Sequence, residues 1–219
     1  MSTTQLSKTA VFYHLLCEGI DKTKIIKIQL QMFLTGPSII RGITALSKRA
    51  IGQVHMSQVA MAQIKVGDSL PTSDLFEDSP ANKVNICDLT AGKRVILFAV
   101  PGAFTPGCSK THLPGYVQNA DKMKGDGVDE IVCVSVNDPY VMAAWGAQHN
   151  TKGKIRMLAD PSGTFIKALD LGINLPPLGG FRAKRFSMII NDSKVTELNV
   201  EPDGTGLSCS LADKIKFKK

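Results

Sequence analysis

"RVILFAVPGAFTPGCSKTHLPGYV" (residues 94–117) decides how this chain is read. Arg94 to Val100 is a short, continuous apolar run, the pattern of a strand buried on both faces. A helix is expected from about Pro106 to Met123. A strand that only had to turn into a helix would not need Pro101, Gly102, Thr105, Gly107 and Cys108 crowded at the junction. In open α/β sheets the strand ends that run into helix N-termini are where ligands bind. Cys108 falls in the first helical turn, where unpaired backbone N–H groups and the positive end of the helix dipole stabilise an anion. The thiolate is the nucleophilic form of cysteine, and this position favours it. Thr105, three residues earlier, can offer its hydroxyl proton to that thiolate or to a bound oxygen. Pro101 fixes the backbone where the strand ends and can shield the sulfur. Gly102 and Gly107 allow close approach of a ligand to the main chain.

Outward from this junction, the chain from Ile64 onward alternates strands and helices. "NKVNICDL" (82–89) reads as extended, and "DEIVCVSV" (129–136) is a second continuous apolar run of central-strand type. "DPYVMAAWGAQHN" (138–150) starts a helix with Asp138 as N-cap and Pro139 at the first helical position. "IRMLAD" (155–160) is a third strand, followed by a short helix starting at Asp160-Pro161. "RFSMII" (185–190) and "VTELNV" (195–200) flank Asn191-Asp192-Ser193 and read as a hairpin. "LSCSLADKI" (207–215) is expected to close the chain as a helix. The fold class is α/β, a central mixed sheet with helices on both faces.

Composition narrows the function. The chain is 43% hydrophobic and 21% charged, as expected of a globular protein in water. It has no run of about eighteen apolar residues, which argues against a membrane-spanning helix and a membrane partner. Five cysteines at 17, 87, 108, 133 and 209 form no CxxC, so neither a disulfide framework nor a zinc site is suggested. The net charge of +7 is concentrated at the N-terminus: residues 1–61 carry seven Lys/Arg against Glu18 and Asp21, and the remainder nineteen against seventeen. That distribution disfavours nucleic acid. Residues 1–61 are poor in acids and can form a basic amphipathic helix near Ile39–Val54, the composition of a mitochondrial transit peptide. The expected organisation is a basic extension over 1–61 and a catalytic domain over 62–219.

Pro101-x-x-x-Thr105-x-x-Cys108 matches the active-site motif of peroxiredoxins. The longer "VPGAFTPGCSKTHLPG" resembles the peroxiredoxin-5, or atypical two-cysteine, subfamily, and the resemblance continues through "VSVNDPYV", "LADPSGTF", "KRFSMII" and "LNVEPDGTGLSCSLA". It implies a thioredoxin-like fold and an antioxidant thiol peroxidase acting on hydrogen peroxide, alkyl hydroperoxides and peroxynitrite. Cys108 is then the peroxidatic cysteine, Thr105 orients its thiolate, Pro101 closes the pocket and Arg185 places a permanent cation beside the sulfur. Cys209 is the resolving cysteine, condensing with oxidised Cys108 in an intramolecular disulfide that thioredoxin reduces, with glycines 204 and 206 giving its loop mobility. No metal or organic cofactor is implied, and dimerisation is common among members.

Other positions take plainer readings. Cys133 is expected in the core, Cys87 and Cys17 have no evident role, and Trp145 is placed near the hairpin or the resolving loop. His112 is expected on the helix surface; a hydrolase pairing Cys108 with His112 is a rival, as is a non-enzymatic thiol redox sensor. Leu178 and Phe181, in "LGINLPPLGGF" (171–181), which is read as a loop, are candidate pocket walls. The end "KIKFKK" lacks a Ser-Lys-Leu-like peroxisomal signal, and Met61 can start a cytosolic short form.

Overall fold

The computed structural model of the protein describes residues 62–215; the extension over 1–61, with Cys17, lies outside the described residues. Among the described residues nine strands and four α-helices follow one another in chain order: β1 (Asp74–Glu77), β2 (Lys83–Asn85), α1 (Ile86–Thr90), β3 (Arg94–Ala99), α2 (Leu113–Gly125), β4 (Glu130–Ser135), α3 (Pro139–Gln148), β5 (Arg156–Ala159), α4 (Thr164–Ala168), β6 (Gly172–Leu175), β7 (Gly180–Ala183), β8 (Phe186–Asn191) and β9 (Lys194–Val200). Seven strands form one sheet in the order β2-β1-β5-β4-β3-β8-β9. β3 runs parallel to β4, and β4 to β5, while the remaining pairs are antiparallel. The expected mixed sheet is therefore present.

Side-chain alternation along the central strands builds two cores. Val95, Leu97 and Ala99 of β3, with Val132 and Val134 of β4, pack against α1 and α4 on one face. Ile96 and Phe98, with Ile131 and Cys133, pack against α2 and α3 on the other. A strand covered on both faces has no polar side, which is why 94–100 and 129–136 are unbroken apolar runs. Cys133 is fully buried, as expected.

Local signals explain most element ends. Asp138 is the N-cap of α3, its carboxylate accepting from Val141 N at 3.0 Å, with Pro139 following. Asp192 and Ser193 both have positive φ, +47° and +61°, which closes the β8–β9 hairpin as a two-residue mirror-image turn matched to strand twist.

Four expectations are corrected. Only Lys83–Asn85 of the segment 82–89 is extended; Asn85 caps Cys87 N and Asp88 N and starts α1 there. The short helix after β5 begins at Thr164, and Asp160 instead accepts from Ile166 N at 2.9 Å from outside it. Residues 171–181 are not a loop: β6 and β7 form a separate hairpin around Pro176–Leu178. The stretch 207–215 forms no closing helix beyond the single turn Ala212–Lys214. Ser208, Cys209 and Ser210 of this stretch donate their amides to a side chain described below. Among the described residues no helix is long and apolar enough to cross a membrane.

Candidate active site

The site is assembled at the C-terminal end of β3. Val100 N still bonds to Val134 O, and buried Pro101 then ends the pairing. Ala103 N donates to Asn137 Oδ1 at 3.0 Å, tying the loop to the end of β4. Phe104 takes φ +61°, a conformation that bulky residues rarely adopt and that recurs at functional sites. Helical structure begins at Pro106, but Cys108–His112 is wound as a π-turn, with Leu113 N reaching back to Cys108 O, before α2 continues normally. Such widened turns are uncommon and are frequent at functional sites.

Cys108 has no measurable exposure. Two polar groups meet its sulfur: Thr105 Oγ1 at 2.8 Å and Arg185 NH1 at 3.3 Å. The Thr105 hydroxyl also lies 3.0 Å from Gly102 O. Its single proton serves one acceptor at a time, and a thiolate is the stronger one. Arg185 precedes β8 and is itself 4% exposed; its Nε donates to Thr205 O at 3.1 Å. A guanidinium held in this way keeps its charge beside the sulfur in a setting where water screens little. Thr105, Cys108 and Arg185 are thus brought together, with buried Pro101 at the end of β3.

His112 departs from expectation. It is fully buried, with Nδ1 3.3 Å from Arg185 NH1 and Nε2 3.0 Å from Ser210 O. A guanidinium can only donate and a carbonyl can only accept, so Nε2 carries the ring proton. Burial pushes its pKa down to about 4, and the Arg185 charge adds to this against the opposing Ser210 bond, so the ring is neutral at pH 7. Its place beneath Arg185, rather than on the surface, follows from the wide π-turn and from stacked Phe98 and Tyr116, which His112 meets edge-on. Both its nitrogens are occupied by the guanidinium and the carbonyl, so it does not pair with Cys108 as a base.

Cys209 is half-buried and unbonded to another cysteine; the four described cysteines are all free thiols. Its Sγ donates to Val200 O at 3.4 Å, and the structure does not bring it into contact with Cys108. Gly204 and Gly206 do not loosen this loop: Gly204 O accepts from Arg185 N, and Gly206 N bonds to Asp203 Oδ1. Glu201, which sequence reasoning passed over, gathers the loop around its carboxylate. Nothing in "NVEPDGTG" marks it beyond an acid next to a proline, since its partners lie seven to nine residues away.

Two further placements are corrected. Trp145 lies against the Cys108 helix instead of the resolving loop, its Nε1 donating to Ser109 Oγ at 3.0 Å. Phe181 packs away from the sulfur, its ring close against Gly163 and Gly172 and covered by Lys167 Nζ. Leu178 contributes its carbonyl to Arg182, which also donates to Val136 O and so pins the β6–β7 hairpin to the end of β4. Among the described residues no group of three or more His, Cys, Asp or Glu is arranged to hold a metal.

Residues 65–215 match the family model described as Redoxin. The chain is 44% identical to Peroxiredoxin-2B of Arabidopsis thaliana over 160 residues, 71% of this chain and 99% of that protein. Reduced Prx3 from Vibrio vulnificus, solved in complex with H2O2, shares 46% identity with a TM-score of 0.65, covering 69% of this chain and 96% of that one. Peroxiredoxin 5 from Alvinella pompejana shares 44% identity with a TM-score of 0.60, over 65% and 92%.

Proposed function

Because the chain belongs to the Redoxin family, as a peroxiredoxin with thiol-dependent peroxidase activity, we propose that Cys108 is its peroxidatic cysteine and Cys209 its resolving one. The observation that carries this is the convergence of Thr105 and Arg185 on a buried Cys108 sulfur. The thiolate attacks one peroxide oxygen, the O–O bond breaks, and the second oxygen leaves with the electron pair and takes a proton. Sulfur loses two electrons and becomes a sulfenic acid. Arg185 and Thr105 face the place where negative charge passes from sulfur to the leaving oxygen, where fixed donors act most strongly. The Vibrio relative bound to H2O2 supports a small peroxide as substrate.

Cys209 then attacks the sulfenic sulfur; the S–O bond breaks, hydroxide leaves with the thiol proton as water, and a Cys108–Cys209 disulfide results. A dithiol reductant of thioredoxin type restores both thiols. The sulfurs are not in contact at rest, so the loop and the first helical turn must open for this step. Mass spectrometry of peroxide-treated full-length protein is expected to find the 108–209 cross-link, alongside sustained NADPH-coupled turnover with thioredoxin and its reductase. A single turnover that then stops would instead leave a redox sensor. A cross-link from Cys108 to a different cysteine would remove Cys209 from the cycle.

Thr105→Val, which keeps the side-chain shape and removes the donor, is expected to slow the reaction with H2O2 about 10²-fold, and Thr105→Ser to retain most of it. Second-order rates within threefold of wild type for Thr105→Val would leave Thr105 a packing residue.

We read residues 1–61 as a mitochondrial presequence, supported by their basic, acid-poor composition. One relative, Peroxiredoxin-2E of Arabidopsis thaliana, is chloroplastic, so organelle choice needs its own test. A fluorescent fusion of residues 1–61 should enter mitochondria, and a fusion starting at Met61 should stay cytosolic. Self-association belongs to the same reading, supported by the exposed rings of Phe104 and Tyr140.

A further inference from the structure

We propose that Glu201 is a latch that withholds Cys209 from oxidised Cys108, and so is a positioning residue that sets how much enzyme is resolved and how much is over-oxidised. The proposal rests on Cys209 being the resolving thiol. Glu201 follows β9 and is 1% exposed. Its Oε1 accepts from three consecutive amides, Ser208 N at 2.8 Å, Cys209 N at 2.9 Å and Ser210 N at 2.9 Å, and from Ser210 Oγ at 2.7 Å. Its Oε2 accepts from Ser208 Oγ at 2.5 Å. Among the described residues no lysine or arginine pairs with it. The loop itself therefore offsets the cost of a buried charge, through bonds of the charge-assisted, strong class.

This arrangement spends three backbone donors on one carboxylate. It also turns Cys209 inward: the thiol donates to Val200 O, on the strand from which Glu201 emerges. Burial and the neighbouring Glu201 charge both push the Cys209 thiol up, keeping it protonated and less nucleophilic. The loop is also anchored to the helix that carries Cys108. Ser210 O accepts from His112 Nε2 and from Tyr116 OH at 2.7 Å. A continuous set of bonds thus runs from the Cys108 sulfur through Arg185, His112 and Ser210 to Glu201. Cys209 can attack only after that set opens at its Glu201 end. While it stays closed, the sulfenic acid waits, and a second peroxide can convert it to sulfinic acid, releasing water.

The test uses the full-length protein, excess H2O2 and no reductant, with quenched samples sorted by mass into disulfide and sulfinate. Glu201→Gln keeps volume and one acceptor oxygen but removes the charge. It is expected to form the disulfide roughly tenfold faster, the size of losing one charge-assisted bond, and to lower the sulfinate fraction correspondingly. Glu197→Gln makes the same charge change on β9, where the carboxylate accepts only from Asn199; it should move neither quantity. Ser208→Ala and Ser210→Ala each remove one hydroxyl donor and should act in the same direction, about two- to threefold. They decide the matter if Glu201→Gln lacks a cooperative melt. Disulfide formation that is unchanged or slower in these variants overturns the latch. Cys209→Ser should yield sulfinate and no disulfide, with or without Glu201→Gln. A disulfide persisting there would overturn the assignment of Cys209 on which the latch depends.

Discussion

Arg185→Met reacts with H2O2 about 10³-fold more slowly than wild type, the upper range for removing one fixed donor from a site of developing charge. Two effects combine. The sulfur loses the one permanent cation that meets it among the described residues, Arg185 NH1 at 3.3 Å, which leaves the departing oxygen one donor short. The same NH1 also serves His112 Nδ1, so the variant leaves a buried acceptor unpaired. Arg185→Lys separates the two: it keeps the charge but cannot reach sulfur, His112 and Thr205 O together as the planar fork does. Its rate should fall between the others. Trp145, the only tryptophan of the chain, bonds to Ser109 next to Cys108 and gives a fluorescence signal for stopped-flow measurement. A rate for Arg185→Met within threefold of wild type would make Arg185 a structural residue.

Acid should weaken the fold in two stages. His112 titrates near 4 when folded and at its ordinary 6.5 when unfolded. Above 6.5 both states hold it neutral; as pH falls, only the unfolded chain binds the proton, so stability declines until the folded ring also titrates. Two and a half pH units at about 1.4 kcal/mol each cost about 3 kcal/mol between pH 6.5 and 4. Glu201 is raised by burial, but the Ser208 and Ser210 donors override this and hold it at about 2 against its ordinary 4.5. Its contribution is complete above 4.5 and is lost as pH falls toward 2. Asp160, raised by burial, works in the opposite sense in the acid range. Denaturant unfolding from pH 7.5 to 4 should show the first decline in wild type and a flatter profile in His112→Asn. Equal slopes would mean that His112 is not the group responsible.

Much of this was legible beforehand because local rules held locally. Arg94–Val100 and Asp129–Val136 had to be central strands, since nothing else in the chain buries both faces of so short a segment. Asp138-Pro139 and the Asn191–Ser193 turn carry their geometry in their own side chains. Pro101, Thr105 and Cys108 lie within eight residues, so one turn brings them together. What escaped reading depends on distant partners. His112 looks like a surface residue until Arg185 and Ser210, 73 and 98 residues away, close over it. Residues 207–215 have the pattern of a helix, and nothing within them shows that Ser208, Cys209 and Ser210 donate their amides to Glu201. Phe181 escapes reading because β6 and β7 pair with each other, which turns it toward Gly163 and Gly172.

β3 is bonded along its whole length to β4 on one side and β8 on the other. Amides in such a doubly bordered strand exchange their hydrogens only in the rarest openings, whereas those of Ser208, Cys209 and Ser210 hang on the single Glu201 carboxylate and exchange whenever it lets go. Cys108 stands on the border between these two regimes. In the proposed cycle its alignment with peroxide comes from the slow side and its escape route from the fast side, so reaction and recycling run on separate clocks within one chain.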